Sequence, residues 1–113
     1  MNGIIAELNS TYGILKLYCD RLVVRNKFNF INLFLRSLGY RTIYFNQVED
    51  IWKFPRSSWD YAHINLYLVS LSGKEIFEIV CEGKNGQVQI DEFYDILTDT
   101  IDIYKSKSKL NVV

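Results

Sequence analysis

The chain has one histidine, His63, and two cysteines, Cys19 and Cys81, and these are the first residues to weigh for catalysis or metal binding. "HINLYLVS" and "KEIFEIVC" read as strands joined across Leu71-Ser72-Gly73, where the Ser-Gly pair supplies the left-handed backbone of a hairpin turn. Pairing centred near Ser72 makes opposed residue numbers sum to about 144 or 145, which sets His63 beside or opposite Cys81 with Asp60 three residues upstream. A thiol nucleophile also needs a depressed pKa and donors for an oxyanion, so the expected role of the pair is structural, at a half-buried strand end. Zinc held by His63, Cys81 and Cys19 would have only three ligands at irregular spacing. Ser72-Gly73-Lys74 matches only the end of a phosphate-binding loop, lacks its earlier glycine and the Ser/Thr after the lysine, and sits in a hairpin. Asp91, Asp95, Asp99 and Asp102 place one acid on each turn of a helix, the pattern of a solvated face with no loop to converge oxygens on an ion. No catalytic, cofactor or metal residue is therefore assigned, and a non-enzymatic binding domain without cofactor or small-molecule substrate is expected.

Binding residues stand out more clearly. Residues 1 to 56 hold eight Lys/Arg against four Asp/Glu and residues 57 to 113 hold five against nine, although the net charge of the whole chain is zero. No acid lies between Asp20 and Glu49. Lys16, Arg21, Arg25, Lys27, Arg36 and Arg41 are thus the candidates for contact with an anion or a lipid headgroup. The balanced total argues against nucleic-acid binding, which leans on an overall basic footprint. Within the same span, "KFNFINLFLRSLGYR" carries eight large apolar side chains among fifteen residues. Phe30, Phe34 and Leu38 fall at helical spacing, as do Ile31 and Leu35, so a short helix there would be apolar on more than one side. A core already filled by strands and a helix cannot bury all of them, and an exposed apolar patch marks an interface. Phe28, Phe30, Phe34 and Leu38, with Trp52, Arg56, Trp59 and Tyr61 around "FPRSSWDYA", form the candidate protein interface, since aromatics and arginine anchor such surfaces. The alternative for Trp52 or Trp59 is that it covers one end of a barrel.

The elements that must position these residues are short. At 113 residues the chain is expected to be one domain, 1 to 113, able to bury a single core. Hydrophobic and charged fractions of 49% and 23% are ordinary for a globular protein. No apolar run reaches the ~20 residues of a membrane-crossing helix. "MNGIIAELNS" lacks the basic start and apolar run of a secretion signal, and the cysteines lack CxxC spacing, so a cytoplasmic protein with unlinked thiols is expected. Apolar segments punctuated by turns predict strands from about residue 4 to about residue 80: Ile4 to Leu8, "ILKLYC", "LVVRN", "RTIYF", "VEDIWKF", and the two strands already named. Phe93, Ile96, Leu97, Thr100, Ile101 and Tyr104 then fall on one stripe of a helix over about 90 to 105, with Asp91 and Glu92 in its first turn and a short basic tail over 105 to 113. The fold class is mainly β with one C-terminal α-helix that caps a strongly bent antiparallel sheet, or partly open barrel.

"YGILKLYCDRLVVRNK" followed by "LGYRTIYFNQVEDIWKF" and a closing hairpin resembles bacterial pleckstrin-homology-like domains. The resemblance runs from about residue 12 to about 104 and rests on Gly13, on Tyr18, Asp20, Arg21, Leu22, Val24 and Asn26 of a hairpin, and on Thr42, Ile43, Phe45, Val48 and Ile51 of a strand-turn-strand. Tyr44 stands where a proline is frequent, Asn26 replaces a basic residue, and the segment 27 to 40 is unusually apolar. The resemblance implies a seven-stranded bent sheet capped by a helix, and two uses: anionic headgroups held on the first hairpins, or protein contact, including self-association. The expected function is protein–protein contact, with the chain itself as the favoured partner, through the 27 to 40 segment. A composition rich in Ile, Asn, Tyr and Phe, with two alanines, is what an AT-rich bacterial or phage genome gives, and for a small domain from such a source the sharper expectation is that it masks or inhibits a host protein. The alternative is peripheral binding to an anionic membrane through the basic, apolar segment 21 to 41.

Overall fold

The computed structural model describes residues 3 to 26 and 40 to 110 of the chain, with side chains through Ser108. Seven strands fall where the apolar segments between turns predict them: β1 (Ala6–Asn9), β2 (Gly13–Leu17), β3 (Arg21–Asn26), β4 (Tyr40–Tyr44), β5 (Val48–Phe54), β6 (His63–Ser70) and β7 (Gly73–Val80). A helix, α1 (Gly86–Leu110), completes the chain. The strands form two antiparallel meanders, β1-β2-β3-β4 and β5-β6-β7. The bend expected of one sheet is thus a break between two, at the 3-10 turn Phe45–Gln47, and the sheets do not close into a barrel. Four strands, three strands and a helix is consistent with the arrangement that the pleckstrin-homology-like resemblance implies.

Period-two alternation assigns the faces. Leu8, Leu15, Leu17, Leu22, Val24 and Ile43 of the first sheet meet Val48, Ile64, Leu66, Leu68 and Ile79 of the second in one buried core. Phe45, 1% exposed at the corner between the sheets, packs edge-on against Tyr104 of α1 with ring centroids 5.7 Å apart. The Phe45 N–H donates to the Asp20 carbonyl, which ties this corner to the β2–β3 turn. Across the opposite gap, the Thr11 N–H donates to the Val80 carbonyl, and the Thr11 hydroxyl accepts from the Glu82 N–H at 2.8 Å. The sheets are therefore fastened at both corners.

α1 buries Ile90, Phe93, Leu97, Thr100 and Ile101, with Tyr104 half-buried. Ile96, expected on that stripe, is 40% exposed, because the helix presents a narrower apolar face to the sheets than the pattern suggested. α1 also begins four residues earlier than expected and continues through the basic residues read as a tail. Its first turn therefore holds no acid, and Asp91 and Glu92 fall in the second turn. The start is fixed by the preceding chain reversal. Gly83 adopts φ +97°, and a Cβ on Gly86 would lie 2.1 Å from the Cys81 carbonyl oxygen, so only glycine fits there.

The hairpin between β6 and β7 pairs Ser70 with Gly73, leaving Leu71 and Ser72 as its tip, and Gly73 takes φ +126°. Opposed residue numbers consequently sum one lower than the lower expected value. His63 faces Val80, and Cys81 lies one position beyond it, its N–H donating to the Ala62 carbonyl at 3.4 Å. No helix among the described residues is long and apolar enough to cross a membrane.

Candidate functional site

Alternation on the three-stranded sheet sends Ile64, Leu66 and Leu68 of β6 into the core, so His63, Asn65, Tyr67 and Val69 occupy its outer face. Register completes that face. β5 contributes Asp50, Trp52 and Phe54 opposite Tyr67, Asn65 and His63, and β7 contributes Ile76, Glu78 and Val80 opposite the same three residues. An irregularity between Val48 and Asp50 makes this possible, since the extra residue rotates Asp50, Trp52 and Phe54 outward while Val48 stays in the core.

The resulting surface is aromatic and apolar, with acids at its rim. Trp52 is 54% exposed and Ile76 57%, well above what a core-facing strand position leaves. Trp52, Phe54, Tyr67, Glu49 and Asp50 surround a shallow depression of about 400 Å³. Its walls are fixed by their own contacts. The Trp52 Nε1–H donates to Asp50 Oδ2 at 2.8 Å, and Asp50 Oδ1 accepts the Ile51 N–H. Phe54 stacks on His63 with centroids 4.8 Å apart and planes 13° apart. His63 is itself seated by the Tyr61 carbonyl, 2.8 Å from Nδ1, with carboxylate oxygens of Asp60 and Glu78 each 3.9 Å from the ring. In the middle of the face, the buried Asn65 Oδ1 has no hydrogen-bond partner among the described residues.

Other candidate interface residues lie at the edge of this surface. Trp59, 96% exposed, and Tyr61, 43% exposed, stand in the β5–β6 connection, so Trp59 does not cover the end of the core. Arg56 is exposed in the same loop, and its backbone N–H is held by Gln87 Oε1 of α1 at 2.6 Å. Phe28, Phe30, Phe34 and Leu38, with Lys27 and Arg36, lie outside the described residues. Tyr67, Phe54, Asp50 and Ile76 escaped the sequence reading. Alternation within β6 marks Tyr67 as facing away from Ile64 and Leu66, but only the β5–β6 register brings Trp52 and Phe54 to its side.

The basic candidates separate. Lys16, Arg21 and Arg25 share the outer face of the four-stranded sheet, opposite in register to Val23, Tyr44 and Tyr40. Arg21 is engaged by Asp20 at 2.7 Å and lies over the Tyr18 ring. Arg41 does not join them. It points inward from β4, makes a two-pronged pair with Glu75 of β7 at 2.6 and 2.7 Å, and lies over Phe77. Its bond to Glu75 holds that carboxyl below the usual carboxylate range and raises the guanidinium pKa in return. Arg41 is therefore a brace between the sheets, its guanidinium paired with a carboxylate of β7 and lying over the Phe77 ring.

Of the acids along α1, Asp91 accepts from Gln87 and pairs with Lys53 of β5 at 3.2 Å, and these bonds lower its pKa, Gln87 most. No group of three or more His, Cys, Asp or Glu side chains among the described residues is disposed to hold a metal ion. Cys19 is exposed, Cys81 is buried, and the two are not joined in a disulfide. A second, mostly apolar cleft of about 650 Å³ lies between the C-terminal half of α1 and the β2–β3 turn, lined by Ile5, Cys19, Thr100, Ile103 and Tyr104. Comparison of the chain with protein-family models, curated proteins and solved structures finds no match.

Proposed function

We propose that this is a non-catalytic protein-binding domain, and that the outer face of the three-stranded sheet takes part in the contact. The observation that carries the reading is the exposure of Trp52 and Ile76 on that face and of Trp59 and Tyr61 in the adjoining β5–β6 connection. Large aromatics lose much apolar area to a partner at small conformational cost, and clustered exposure of this kind is characteristic of interfaces. Self-association is the first form to test, since it needs no second component. The pleckstrin-homology-like resemblance supports the same reading, because protein contact is one of the two uses it implies.

Membrane binding through the basic set is less well supported. Arg41 is occupied by Glu75 and Arg21 by Asp20, which leaves Lys16 and Arg25 as the described cations on the outer face of the first sheet. Sizing chromatography with light scattering over a wide concentration range tests the proposal. Concentration-dependent mass that Trp52→Asp or Trp59→Ser reduces supports self-association. A monomer at every concentration removes it and leaves a different protein as partner. Cosedimentation with anionic but not neutral vesicles would favour the membrane reading instead.

A further inference from the structure

The depression bounded by Trp52, Phe54 and Tyr67 combines aromatic rings with carboxylates. Three aromatic side chains line it together with Glu49 and Asp50. An aromatic face carries partial negative charge, so rings and carboxylates together make a site for a cation that also has an apolar stem. Asp50 meets no cation among the described residues: both of its oxygens accept from N–H groups of its own strand, which aims the indole without neutralising the charge. Among the described residues Glu49 has only Lys74, 3.9 Å away, with a lysine side chain 78% exposed. Lys53, the basic neighbour in β5, is turned to the other face, over Tyr94 and against Asp91.

We infer that this depression receives a lysine or arginine side chain from the protein partner. The inference rests on the proposed protein-binding role and specifies the chemistry the partner must present there. The methylene stem packs against Trp52 and Phe54 while the charged end lies among the ring faces and the two carboxylates. Preorganisation favours capture, because the Asp50 bond and the His63 stack already hold two of the three rings.

The test uses the full chain carrying Trp59→Phe, so that Trp52 is the sole tryptophan. A short amidated glycine-arginine peptide is titrated by fluorescence and by calorimetry, beside a glutamate peptide of equal length. Saturable quenching by the arginine peptide alone is expected, with affinity falling several-fold between about 0.05 and about 0.5 M salt. In calorimetry, Trp52→Ala and Asp50→Asn should each weaken the peptide by roughly 3- to 30-fold while the far-ultraviolet dichroism is unchanged. Absence of binding at millimolar peptide, or equal binding by the parent and Trp52→Ala, overturns the inference. Sizing chromatography keeps the two readings apart. A chain that is monomeric throughout yet binds the arginine peptide retains the cation site and loses self-association. An oligomer that neither binds the peptide nor yields to it loses the cation site alone.

Discussion

At the scale of single residues, Gly86 and Phe45 set the two ends of the helix in place. Gly86→Ala drives a methyl group into the Cys81 carbonyl. Backbone cannot retreat as a side-chain tip can, so a loss of about 2–3 kcal/mol in urea unfolding is expected, with the transition still cooperative. Phe45→Ala should cost about 3–5 kcal/mol in the same measurement, since the ring is 1% exposed and its removal also leaves Tyr104 without its edge-on neighbour. These residues differ in how legible they are. Phe45 sits in a recognisable strand-turn-strand segment, whereas nothing in "EGKNGQVQ" announces that Gly86 faces a carbonyl five residues back. The helix starts four residues before the expected position for that reason: periodicity locates the buried stripe, and the chain reversal that begins the helix is a tertiary contact.

Among elements, the pair Arg41–Glu75 joins β4 of one sheet to β7 of the other. Its sign with pH follows from the shift. Glu75 is more acidic in the folded chain than in the unfolded one, so its contribution is present above the ordinary carboxylate pKa and disappears as pH falls through the lowered folded value. Asp91, lowered by Gln87 and Lys53, acts in the same direction. Urea unfolding at a series of acidic pH values should therefore show stability declining as pH falls, and Glu75→Gln should flatten part of that slope. Both members are substantially exposed, and a double-mutant cycle should return a coupling below about 1 kcal/mol that salt reduces. The strands themselves are legible because each is a short apolar segment bounded by turn residues. What was not legible is register, and register decides the site: Arg41 reads as one of six basic candidates until β4 is seen to turn it inward, and Trp52 meets Tyr67 only through an irregularity that no local pattern specifies.

For the whole molecule, the two outer faces are unlike. One displays Lys16 and Arg25 among tyrosines, and the other displays Trp52, Phe54, Tyr67 and Ile76 rimmed by acids. Substitutions on either face should leave folding nearly untouched: Trp52→Ala is expected to shift the thermal midpoint by no more than a few degrees, about what ~0.5 kcal/mol produces in a domain of this size. The same substitution should alter sizing behaviour or peptide binding, which separates a surface made for contact from one that merely tolerates aromatics.

The Thr11 bonds to the end of β7 have a consequence for how the chain folds. Each sheet is a meander of sequence neighbours, so its strand pairings are closer in sequence than the contacts that join the two sheets and are expected to form earlier. The contact of Thr11 with Glu82 spans 71 residues and can form only once both meanders exist. Thr11→Ala should consequently lower stability by about 1 kcal/mol almost wholly through faster unfolding, with the refolding rate unchanged in stopped-flow measurements. The first meander would then be an autonomous early unit, and the lifetime of the native state would be governed by the latch that joins its first turn to the last strand.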